Sequence, residues 1–233
     1  MRPLAILFLL VLPAVVPAAS EAHCNADLQP STVLTRLNVK GTRLSALIRL
    51  GYEEHLCFGL QDPDPAILTE TVHLTGSGLT VEDVLRRLLP NGHPYAFSQS
   101  NGVFLIRRTD SNPVTWLDND LTFLMDRTTV QWASMSLFVA LARTANPSIG
   151  GLVGSYDPGN VTDMVGPIHQ PNRPVRDLLS LIVGGSRGGA WISRECAVVD
   201  ESITREPCWT VLEYSLPLPS TLAQAEGFWK KAR

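Results

Sequence analysis

The side chains able to do chemistry are few and scattered along the chain. The five histidines, His23, His55, His73, His93 and His169, include no pair three or four residues apart, the spacing that would set two imidazoles on one helical face around a metal. The four cysteines, Cys24, Cys57, Cys196 and Cys208, lack the close pairing of a zinc site. Nucleophilic catalysis needs a serine or cysteine beside a base, and the glycine–serine runs read as turns, not as a nucleophile elbow. Glu53 and Glu54 are adjacent carboxylates, but general acid–base work needs burial to shift one of them, and in an exposed turn they are simply solvated. Gly184 to Gly189 is rich in free backbone N–H groups, yet it follows a helical pattern instead of preceding one and has no Gly-Lys-Ser/Thr, so it reads as a helix end and a turn. The expectation is no catalytic residue, no metal and no cofactor.

What the cysteines can do is pair. The first residues, MRPLAILFLLVLPAVVPAASEA, carry an early Arg2, an apolar run from Leu4 to Leu12 and small residues after it, which describes a secretory signal peptide over residues 1–22. A periplasmic or secreted location follows, most naturally in a Gram-negative bacterium. All four cysteines lie beyond the cleavage region, and an even number in an exported chain favours disulfides. Three pairings are possible, of which locality favours Cys24 with Cys57 and Cys196 with Cys208. No later apolar run is long enough to span a bilayer, so no stable membrane insertion is expected after cleavage. The formal charge of −3 supplies no basic face for phosphates, which argues against nucleic acid.

The elements that must position these residues are most legible from Gly78 to Ile106. Val81, Val84, Leu85, Leu88 and Leu89 fall at i, i+3, i+4, i+7 and i+8, one buried stripe of a short helix. Thr80 is the expected N-cap, with Asp83 in the capping-box place, and Pro90-Asn91-Gly92 ends the helix. Tyr95 to Phe97 and Val103 to Ile106 follow as two strands joined at Asn101-Gly102, a hairpin turn. Upstream, a strand with Leu34, Leu37 and Val39 that ends at Lys40-Gly41, a helix capped by Thr42, a strand over Leu56 to Leu60 and another at Val72 to Leu74 complete a β-α-β-β-α-β-β order.

The same pattern recurs 94 residues on without a gap. Val81 meets Val175, Asp83 meets Asp177, Leu88 and Leu89 meet Ile182 and Val183, and Phe97 meets Trp191. Upstream, Leu44, Leu47 and Leu74 meet Phe138, Leu141 and Ile168. The expected fold is therefore α+β, as two tandem copies of a small domain with two helices packed on one face of a short mixed sheet. Residues 23–108 form the first copy and 132–216 the second. The turn-rich stretch 109–131 is the linker between them, and 217–233 a C-terminal tail.

The first half, with Thr42-Arg43-Leu44-Ser45-Ala46-Leu47, the strand leading to Gly76, the phrase Leu79 to Leu89 and the closing Asn101-Gly102-Val103-Phe104-Leu105-Ile106, resembles the secretin and TonB N-terminal short domain. The second half shares the resemblance only through the internal match. The resemblance implies a small interaction module of the cell envelope with no catalytic residues, and no barrel or secretin ring follows in this sequence. The expected function is a non-enzymatic protein-interaction module whose partner is an envelope protein. An exported hydrolase acting on an envelope polymer is the alternative. Two helices on one sheet face leave an edge uncovered, and the edges expected to receive a partner strand are Leu56, Phe58 and Leu60 on one strand and Val103, Phe104 and Ile106 on the other.

Overall fold

The computed structural model describes residues 24–25, 27–110, 115–145, 163–197, 205–214 and 217–231; the expected signal peptide and a second-half strand expected near Leu152-Val153 lie outside them. The first half runs β1 (Val33–Leu34), β2 (Leu37–Thr42), α1 (Arg43–Glu54), β3 (Phe58–Gln61), β4 (Thr71–Gly76), β5 (Leu79–Thr80), α2 (Val81–Leu88), β6 (Tyr95–Ser100) and β7 (Val103–Arg108). The second runs β8 (Asp120–Met125), β9 (Thr128–Thr129), α3 (Val130–Ala145), β10 (Met164–Val165), β11 (Ile168–Pro174), α4 (Val175–Gly184), β12 (Gly189–Ala197), β13 (Arg205–Glu213) and α5 (Leu218–Lys231). The fold is α+β.

Local chemistry explains the first-half elements. Thr80 caps α2 by accepting from the Asp83 N–H at 3.1 Å, while the Asp83 carboxylate reaches back to the Thr80 N–H. Hydrogen bonds from Thr80 hold the Asp83 carboxyl below its usual range. Val81, Val84, Leu85 and Leu88 are the buried stripe. Asn101 and Gly102 both take positive φ, 53° and 75°, the combination a two-residue turn between β6 and β7 requires. Arg43, at the start of α1, is buried: its guanidinium meets Glu70 at 2.6 Å and donates to the carbonyls of Arg87 and Leu89, each at 2.8 Å. It thereby satisfies carbonyls left open at the end of α2.

The two halves do not build separate sheets. Five strands form one sheet in the order β13-β12-β3-β7-β6, with β12, β3 and β7 parallel and both outer strands antiparallel. β12 of the second half lies directly against β3 of the first. Phe58, Leu60, Phe104, Ile106, Ala190, Ile192 and Leu212 pack with the apolar sides of α1, α2 and α5. Val103, Leu105, Trp191 and Trp209 pack on the other face with α3 and α4. Each half therefore keeps its two helices on one face, as expected, but the faces are opposite sides of a shared sheet. β2 with β4 and β8 with β11 stand apart as two-stranded antiparallel ribbons.

The tandem arrangement of one small sheet per copy is corrected accordingly. The ungapped register sets α2 on α4, β6 on β12, most of α1 on α3 and part of β4 on β11, but it breaks at β2, whose matched residues fall inside α3. The expected linker 109–131 contains β8, β9 and the start of α3, and the expected tail holds α5, which buries Ala225 and Phe228 in the core. Of the cysteines, Cys24 and Cys57 form a disulfide with Cα atoms 5.4 Å apart, closing a separation of 33 residues. A bridge over such a loop contributes on the order of 3 kcal/mol. Cys208 is also disulfide-bonded, and the side chain of Cys196 lies outside the described residues.

Candidate functional site

The six residues expected to line an open edge are interior. Leu56, Phe58, Leu60, Val103, Phe104 and Ile106 are all buried, because β3 is the middle strand of the sheet and β7 is bonded on both sides, to β3 and β6. Alternation along Leu56 to Leu60 reads as one buried face. Here the second face is buried too, by Trp191 over Gly59 and by α4, as parallel strands require. The edge role of these residues is corrected.

The ladder edges lie instead on β6 and β13, the outer strands of the shared sheet, and in the ribbons. β4 bonds β2 over the whole stretch Thr71 to Gly76 and, among the described residues, bonds no third strand. Thr71, His73 and Thr75 face solvent while Val72 and Leu74 lean on the core. The sequence signal was present in Val72-His73-Leu74, which reads as a strand but says nothing of which side has a neighbour. In the other ribbon, Leu124 on β8 is 68% exposed. Trp132 and Met164, also exposed, flank Thr129: Met164 pairs with it across β9 and β10, and its hydroxyl accepts from the Trp132 N–H at 3.2 Å.

Three polar groupings bring together side chains of the types that do chemistry. At the carboxyl ends of β3 and β7, His93 stands between two carboxylates, Nε2 2.8 Å from Asp64 and Nδ1 2.6 Å from Asp110. Arg108 closes the group at 3.4 Å from Asp64 and 3.2 Å from Asp110. The hydrogen bond from His93 holds the Asp110 carboxyl below its usual range. Both imidazole nitrogens are engaged, so neither is free to activate a nucleophile or ligate a metal. This is a clasp between the loop after β3 and the ends of the β6–β7 hairpin.

Second, Gly184-Gly185-Ser186-Arg187-Gly188 spells the G-x-S-x-G spacing, which corrects the reading of the glycine–serine runs as lacking it. Context still denies it a nucleophile's role. An elbow turns from strand into helix, whereas this run leaves α4 and enters β12. Ser186 is buried, and its hydroxyl donates to the Val183 carbonyl at 2.8 Å and accepts from the Gly188 N–H at 3.2 Å.

Third, Glu213 at the end of β13 is 1% exposed, and burial pushes its carboxyl up to about 7, with the Asp163 carboxylate adding to the rise. It accepts the Asp163 N–H at 2.7 Å, and Asp163 in turn meets Arg187 at 3.6 Å. A raised native value means that the folded chain holds a proton which the unfolded chain releases above its ordinary range near 4.5. Stability is therefore full at acid pH and falls as pH rises through about 7, by at most about 3 kcal/mol. Glu213→Gln is expected to match the parent at pH 5 and to exceed it at pH 8, which denaturant titration at the two pH values checks; equal stabilities at pH 8 would refute the assignment.

Among the described residues no group of His, Cys, Asp and Glu is arranged to hold a metal ion, and no helix is long and apolar enough to cross a membrane. Comparison with protein-family models, with curated proteins and with solved structures gives no match.

Proposed function

We propose that this chain is an exported, non-enzymatic protein-interaction module of the cell envelope, periplasmic or secreted, that binds a protein partner by strand addition. The observation carrying this reading is the β4 edge, six residues of ladder with no third strand among the described residues. Backbone groups turned away from β2 offer a partner hydrogen bonds, and alternate side chains offer register. The leader-like residues 1–22, the Cys24–Cys57 disulfide and the phrase from Leu79 to Leu89 support export and a kinship with secretin and TonB short domains.

A photo-crosslinking residue at exposed His73 should yield protein adducts in envelope preparations, while one at exposed Glu226 on α5 should not. Equal labelling from both positions, or none from His73, would count against the reading. The exported-hydrolase alternative is favoured by one observation, the raised carboxyl of Glu213 beside Asp163. Turnover of an envelope polymer by the purified chain, abolished by Glu213→Gln with the fold intact, would establish it instead.

A further inference from the structure

The free edge of β4 differs from the edges of β6, β11 and β13 in what guards it. On β6 the Arg86 guanidinium lies over Phe97 and donates to the Tyr95 carbonyl, and the Gln99 side chain is tied to the Leu28 carbonyl. β11 contains Pro171, Arg173 and Pro174, and β13 contains Arg205, Glu206 and Pro207. Prolines, charges and capping side chains are the devices that keep sheet edges from pairing. β4, Thr71-Val72-His73-Leu74-Thr75-Gly76, has no proline and no acidic, lysine or arginine side chain.

Its sequence also has a symmetry. Read in either direction from His73, the strand presents an aliphatic residue and then a threonine. We infer that the β4 edge binds the β4 edge of a second copy of this chain, antiparallel about a two-fold axis at His73, so that two ribbons join into one four-stranded sheet. This names the partner of the edge proposed above and rests on that reading. The axis sets Thr71 opposite Thr75, Val72 opposite Leu74, and His73 opposite His73 of the second copy. A two-fold perpendicular to the sheet keeps its faces, so Val72 and Leu74, which lean on the core, extend one apolar row across the seam. The threonines form cross-strand pairs of the favourable kind on the outer face. An interface of this sort is isologous and closes at two copies. Charge is compatible with it: Lys40 lies opposite His73 on β2, a strand back from the seam, and Glu70 ahead of β4 is held by Arg43.

The test measures self-association of the exported chain, disulfides intact, by analytical ultracentrifugation. The parent should dimerise. His73→Lys, which sets two ammonium groups opposite each other at the seam, should weaken the dimer at least tenfold, whereas His73→Thr should retain it. His73 faces solvent, so both variants should melt as the parent does, and melting curves verify this. A monomeric parent at the highest attainable concentration, or a dimer indifferent to His73→Lys, would overturn the inference. The crosslinking experiment at His73 separates the two levels. Adducts only with a different envelope protein reject the second copy and keep the interaction edge; no adducts reject both.

Discussion

Phe104→Asp is expected to unfold the chain, not to release a partner from an otherwise intact domain. Phe104 is 1% exposed on β7, bonded to β3 on one side and β6 on the other. Removing the ring forfeits its burial and leaves a gap, roughly 3–5 kcal/mol for a phenylalanine. The carboxylate then has no partner in an apolar layer of Phe58, Ile106 and Leu85, and an unpaired buried charge costs several kcal/mol more. The total is comparable to the stability of a typical domain, about 5–15 kcal/mol. Circular dichroism should show no cooperative transition, and Phe58→Asp should behave alike. A folded Phe104→Asp protein that had lost only partner binding would restore the edge role for these strands.

The second large effect is expected from adding a single methyl. At Gly59 on β3 a Cβ would run into the Trp191 indole, at Cε2, Cζ2 and Nε1. Trp191 pairs with Gly59 across the β12–β3 ladder and is fully buried. Its Nε1 donates to the Ser180 hydroxyl on α4 at 3.3 Å, so the ring has no slack. Gly59→Ala should cost about 3 kcal/mol, the upper range for overpacking a closed core. Trp191→Phe shortens the ring and removes the clash. In a double-mutant cycle, Gly59→Ala should therefore cost less in the Trp191→Phe background than in the parent. Additive losses would mean that Gly59 is constrained by something other than the indole.

Gly59 and Trp191 also show where sequence matching between the halves misleads. Aligned by spacing, Trp191 corresponds to Phe97, and both are aromatic strand residues after equivalent helices. Phe97 lies on the edge strand β6 under the Arg86 guanidinium, while Trp191 is in the interior on β12. The pattern of apolar positions is the same, but the neighbours differ.

What the sequence by itself determined was local. The stripe from Val81 to Leu88, the Thr80–Asp83 cap and the Asn101-Gly102 turn each depend on residues within a few positions of one another, and helical periodicity, capping and positive φ are local physics. The same holds for the element order of the first half and for the helix at Val175. Only the tertiary structure decided that β12 enters beside β3, because strand pairing over 130 residues of separation leaves no periodic trace in either strand. That choice buries both faces of β3 and β7 and moves the uncovered edge from Phe58 and Phe104 to β4. It also brings buried Glu213 against Asp163, 50 residues away in the chain. A glutamate in the sequence signals an exposed charge; its raised carboxyl comes entirely from the non-local packing that removes water from it.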